Sequence, residues 1–206
     1  MNEANLMFSP DELNLMQDGE WILTKNKVIR KVCELFGLLS EEMKPLWENT
    51  RFNDLYKVNR AKISKGENFQ GLPYVVLDYP GYFRKENIFS IRCLFWWGNY
   101  FSITLHLRGE AKEYFANSLR EAIPILAKYD FQICAGDDEW IQELNQKDFS
   151  PISAADEGYI KSILDAHAFL KISCKIPFQK MDDIRQQLVT HYGILLESLG
   201  HQLPNR

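Results

Sequence analysis

The stretch from Ile88 to Arg108 constrains this chain more than any other. Between Ile88 and Trp97 the odd positions Phe89, Ile91, Cys93, Phe95 and Trp97 are all apolar, whereas the even positions Ile88, Ser90, Arg92, Leu94 and Trp96 are mixed. In the segment that follows, Phe101, Ile103, Leu105 and Leu107 are apolar and Tyr100, Ser102, Thr104, His106 and Arg108 alternate with them. A period of two is the mark of β-strands with a core face and a second face. Residues directly opposite across an antiparallel pair share a face, so odd must meet odd and the connecting loop must contain an odd number of residues. A two-residue Gly98-Asn99 turn would set every apolar side chain opposite a polar one. A three-residue loop, Trp97-Gly98-Asn99, instead predicts Phe95 opposite Phe101, Cys93 opposite Ile103, Ile91 opposite Leu105 and Phe89 opposite Leu107.

This register defines a second face, with Trp96 beside Tyr100, Arg92 beside Thr104, Ser90 beside His106 and Ile88 beside Arg108. Cations, an imidazole, hydroxyls and an aromatic pair gathered there are equipped to hold an anionic or aromatic small molecule. The plainer account is a face that is solvated or covered by a helix, with its arginines paired to the chain's acids. The candidate ligand-binding residues are therefore Ser90, Arg92, Trp96, Tyr100, Thr104, His106 and Arg108.

Around this hairpin the pattern predicts an α+β protein: a single, mainly antiparallel sheet of five or six strands, helices packed on it, and the N-terminal helices first. Ser9-Pro10-Asp11-Glu12 is a helix start, a second helix runs from about Glu20 to Phe36 with Gly37 as its stop, and Ser40 opens a third. Strands are expected at Val58–Ile63, Tyr74–Tyr79, Phe131–Cys134 and Phe169–Ile176, the last with Lys171, Ser173 and Lys175 on its polar side. Helices are expected from Ala111, with Pro124 kinking or shortening the run, at Asp138–Leu144, from a Ser153 cap to His167, and from Met181 to Gly200. The length of 206 residues fits one domain over 1–206, with a helical segment at about 1–50 on the same core.

Charge and cysteine usage narrow the function. Twenty-four Lys and Arg against twenty-eight Asp and Glu leave a formal charge of −4, opposite in sign to a phosphate-neutralising surface, so nucleic acid is not the expected partner. No apolar run approaches the ~20 residues that cross a bilayer, and no basic stretch precedes an apolar core at the N-terminus, which predicts a cytoplasmic protein without membrane attachment. Cys33, Cys93, Cys134 and Cys174 lie far apart among apolar neighbours, as buried thiols rather than metal ligands or disulfides.

Other candidates are each matched by a structural explanation. Lys57, Arg60, Lys62 and Lys65 cluster locally; if Arg60 and Lys62 share the face of Arg92 they deepen an anion site, and otherwise they are charges that protect an edge strand. Ser64-Lys65-Gly66-Glu67 lacks the order of a phosphate-cradling loop. Asp78 stands before a Pro80-Gly81 turn with no partner visible in sequence, and Gly136-Asp137-Asp138-Glu139 fits helix capping better than cation binding. There is no HExxH, no GxSxG and no cofactor fingerprint, so no cofactor or metal is called for. The expected function is a small-molecule-binding or protein-interaction module using the polar and aromatic face of residues 88–108. The alternatives are a small metal-independent enzyme acting on an anionic substrate with His106 as acid or base, and a self-associating homo-oligomer without ligand.

Overall fold

The computed structural model describes residues 7–58, 60–152 and 157–201. Helices α1 (Pro10–Gln17), α2 (Gly19–Glu48) and α3 (Asn53–Tyr56) precede four strands, β1 (Lys62–Phe69), β2 (Leu72–Phe83), β3 (Ile88–Trp96) and β4 (Tyr100–Arg108). Then come α4 (Glu110–Glu121), α5 (Ile123–Lys128), β5 (Gln132–Cys134), β6 (Phe149–Pro151), α6 (Glu157–Ala166), β7 (Phe169–Pro177) and α7 (Ile184–Ser198). The strands form one sheet of seven in the order β1-β2-β3-β4-β7-β5-β6, every pair antiparallel. The α+β class with N-terminal helices first is as expected, and the strand count exceeds the expected five or six. The additional short strand is β6, three residues too brief to carry a readable period.

The central pairing follows the parity argument: Phe95 faces Phe101, Cys93 Ile103, Ile91 Leu105 and Phe89 Leu107, and the loop is Trp97-Gly98-Asn99. Gly98 takes φ +73°, a left-handed conformation that glycine enters without a Cβ clash. The odd side chains form the main core with α2, α4, α5, α6 and α7, through residues such as Phe36, Phe115, Leu126, Ile160 and Leu195.

Several expectations are corrected. The first strand is Lys62–Phe69 rather than Val58–Ile63, Pro80-Gly81 lies at a bulge inside β2 rather than at a turn, and Ser40 opens no new helix because α2 runs through it. Gly37 does not stop a helix: α2 runs through it and also holds Pro45. An interior glycine costs only about 1 kcal/mol against alanine, and Phe36, Leu39, Met43 and Trp47, at most 1% exposed, carry the buried stripe past it. Residues 138–144 form turns and irregular chain rather than a helix, and His167 lies just beyond α6 instead of within it. The Ser153 cap falls outside the described residues. Pro124 does divide its helical run: α4 ends at Glu121 with Ala122 as its cap, and Pro124 takes the second position of α5, where a missing backbone donor costs nothing.

Candidate functional site

The face of the sheet opposite the main core is built in rows. Asp78 on β2, Arg92 on β3, Thr104 on β4 and Ser173 on β7 stand side by side, and the next row is Gly81, Ser90, His106 and Lys171. Between these rows β2 carries a bulge, because Asp78 and Gly81 are three residues apart where their partners Arg92 and Ser90 are two apart. The extra residue re-aims β2 at the point where the polar rows begin.

Beyond the rows the same face is apolar. Trp96 and Tyr100 meet edge to face at 5.6 Å and join Val76, Leu94, Cys134, Leu144, Phe149 and Phe169 in a second, smaller core. Trp96 donates through its indole N–H to the Phe69 carbonyl, and the Tyr100 hydroxyl accepts from the Leu144 backbone N–H at 2.8 Å. These two candidates are thus engaged in packing, separate from the polar rows.

The cover over the polar rows is the irregular segment 135–148. It is pinned by the Leu144 to Tyr100 bond, by Lys171 Nζ donating to the Ile141 carbonyl, and by Arg108 Nη1 donating to Glu139 Oε1 at 2.7 Å. Lys171 is 2% exposed, so the polar side of β7 is not the solvated face its alternation predicts; only Lys175 of that set is exposed.

Beneath the cover lies a chamber of about 10 Å³, lined by Phe83, Ser90, Arg92, Thr104, His106, Trp140, Gln142 and Lys171. That is room for about one water molecule. Four of the seven candidate residues therefore come together here: Ser90, Arg92, Thr104 and His106. Arg108 lies outside the lining, paired to Glu139. Thr104 and Ser173 share a hydrogen bond at 2.9 Å, and Arg92 is held by Asp78. The Ser90 hydroxyl and His106 Nε2 are buried without any hydrogen-bond partner. Buried polar atoms are almost always paired; of the four unpaired ones among the described residues, Ser90 Oγ and His106 Nε2 share a cavity with room for one polar atom, whereas Trp47 Nε1 and Tyr192 Oη lie outside it.

Burial holds the His106 imidazole down to about 3, and the cations Lys171, Arg92 and Arg108 push the same way. The ring is neutral at pH 7, so Glu139 Oε2, 4.0 Å from Nε2, is a neighbour and not an ion-pair partner. Burial likewise brings the Lys171 ammonium down to about 8, with Arg92 adding to it and Cys134, Asp138 and Glu139 opposing.

A vestibule of about 360 Å³ adjoins the chamber, lined by Arg60, Lys62, Asp78, Gly81, Phe83, Arg92 and Trp140. Phe83, Arg92 and Trp140 border both spaces. Arg60 and Lys62 thus reach the neighbourhood of Arg92. Sequence reasoning missed Lys171, Trp140 and Gln142, which come from β7 and from the cover. Asp78 gave a usable signal, since a lone acid within Val75-Val76-Leu77-Asp78-Tyr79 requires a partner. Among the described residues no three His, Cys, Asp or Glu side chains converge as a metal site would require. No family model, curated protein or solved structure matches the chain.

Proposed function

We propose that this chain is a small-molecule-binding protein whose site is the polar chamber and its cation-lined vestibule, and whose ligand is anionic, aromatic or both. The observation that carries this reading is the pair of orphaned polar atoms, Ser90 Oγ and His106 Nε2, in a chamber bordered by Arg92 and opening toward Arg60 and Lys62. A ligand oxygen entering the chamber would accept from the Ser90 hydroxyl and pair with the neutral imidazole. The vestibule's volume falls within the ~300–1,000 Å³ of small-ligand sites.

The other readings have less support. An acid–base catalyst works best with a pKa near the operating pH, and burial with three cations keeps His106 far below it. An aromatic docking loop needs accessible rings, but Trp96 is 4% exposed and Trp97 packs against the main core. Self-association would use the exposed edge strand β1, where Lys62 and Lys65 discourage strand pairing.

The test is NMR of the His106 ring nitrogens during titration with phosphate, small carboxylates and aromatic acids. At least one compound should give a saturable shift that Ser90→Ala and Arg92→Lys weaken. No response from the whole panel, or a response that both variants leave intact, would overturn the reading.

A further inference from the structure

A second and larger concavity continues the vestibule. It is a groove of about 840 Å³ between α3 and the β1–β2 pair, and it shares Arg60, Lys62, Gly81 and Phe83 with the vestibule. Its charged lining consists of Lys57, Arg60, Lys62 and Arg84, with no carboxylate among the lining residues. Arg84 lies over the Tyr82 ring at 5.3 Å, and among the described residues none of the four cations is in an ion pair. Four mutually repelling cations around one groove, in a chain of net charge −4, form a localised attraction for several negative charges at once. Lys57 adds a backbone observation. It caps α3 in the left-handed region, φ +43°, at the point where the chain leaves the helix and enters the groove wall.

We propose that the ligand is an organic di- or triphosphate bearing a planar ring, with its phosphates in this groove and its ring in the vestibule beside Phe83 and Trp140. This rests on the small-molecule reading above and specifies the ligand's class. Phe83 is 38% and Trp140 55% exposed, and both border the vestibule, offering aromatic faces on which a planar ring can stack. A polar edge of that ring then points to the orphaned Ser90 and His106 atoms. A polymer fits less well, because the run of unpaired cations is short: in the next depression, on the other side of Arg60, Lys44 is paired with Glu48 and Glu41 adds a negative charge. An excess of acids elsewhere on the chain repels an extended polyanion.

The test is isothermal titration calorimetry of the full chain with ADP, GDP, CDP, UDP and inorganic pyrophosphate at low and raised salt. At least one nucleoside diphosphate should bind one per chain and weaken as salt rises. Joint Arg60→Ala and Lys62→Ala substitution, both at exposed positions, should weaken that binding about tenfold or more, the loss expected for charge-assisted hydrogen bonds. Trp140→Ala should weaken the nucleotide and leave pyrophosphate unchanged. If no probe binds while the His106 ring still responds to small anions, this inference falls and the chamber reading stands; if neither responds, both fall. Nucleotide binding that survives the double substitution also overturns it, and tighter binding of a single-stranded oligonucleotide than of any diphosphate replaces it with a nucleic-acid surface.

Discussion

Asp78 and Arg92, directly opposite each other on β2 and β3, form a two-point ion pair, Nε to Oδ1 at 2.7 Å and Nη2 to Oδ2 at 3.0 Å. The Asp78 side chain is 6% exposed and that of Arg92 24%. The pair holds the guanidinium plane against the chamber wall and neutralises much of its charge. Removing one partner of a buried pair costs about 3–5 kcal/mol, and the partial exposure of Arg92 reduces this to about 2–3 kcal/mol. Asp78→Asn should lower the unfolding free energy by that amount in urea titrations while leaving the denaturant slope unchanged. A loss below ~0.5 kcal/mol would mean that the pair is solvated in solution.

His106 makes stability depend on acid. Its folded-state pKa of about 3 lies below the ordinary value of 6.5, so between these values the unfolded chain binds the proton more readily. Its contribution is complete above pH 6.5 and is lost as pH falls toward 3. The measurement is the difference between the parent and His106→Gln, which isolates this one ring. That difference should be flat from pH 7 to 8 and should shift against the parent as pH drops below 6.5. A constant difference down to pH 4 would place the ring in solvent.

Lys171 gives the opposite end of the scale. Its pKa of about 8 lies below the ordinary 10.5, so the unfolded chain holds the proton more readily between these values and stability rises as pH climbs through that window. Burial raises the pKa values of Cys93, Cys134 and Cys174, which act in the opposite direction over this range, so the measurement is the difference between the parent and Lys171→Met, which should change through the window in the sense of a lost rise. The same substitution unpins the Ile141 carbonyl, so backbone amides in 138–145 should exchange with solvent about tenfold faster, the equivalent of one lost hydrogen bond. Unchanged exchange would show that Tyr100 and Arg108 hold the cover without help.

Gly109 joins β4 to α4 with φ +60° and ψ −135°. A Cβ there would come within 2.0 Å of the Glu86 carbonyl oxygen, a backbone atom. Gly109→Ala should therefore cost about 3 kcal/mol or more, lowering the Tm by about 6–12 °C for a chain of this size. A shift of less than 2 °C in calorimetry would contradict the close approach.

What was legible in the sequence follows from which interactions are local. Alternation of odd and even residues from Phe89 to Leu107 determined the register of β3 and β4, because a one-residue slip would turn every core side chain outward. The same reasoning located Ser90, Arg92, Thr104 and His106 on one face. It could not show that Lys171 is buried beside them, since β7 reads as half-solvated until residues 135–148 are laid across it. Nor could it pair Asp78 with Arg92, because the register of β2 shifts at its bulge. Gly37 misled for a related reason: a glycine ends a helix only when the chain also turns away, and Leu39, Met43 and Trp47 keep α2 on the core.

The cover over the polar rows has no helix or strand, and its anchors are a few bonds to Tyr100, Lys171 and Arg108. Floor and roof of the chamber therefore have separate origins. The floor is part of the sheet, where any change in register would disrupt the whole fold, whereas the roof is irregular chain outside the ladder, seated on it by Leu144 in the second core and by Glu139 on Arg108. Trp140 and Gln142 are the positions of residues 135–148 that border the chamber, so exchanging them would reshape its lining without disturbing the register of the strands beneath.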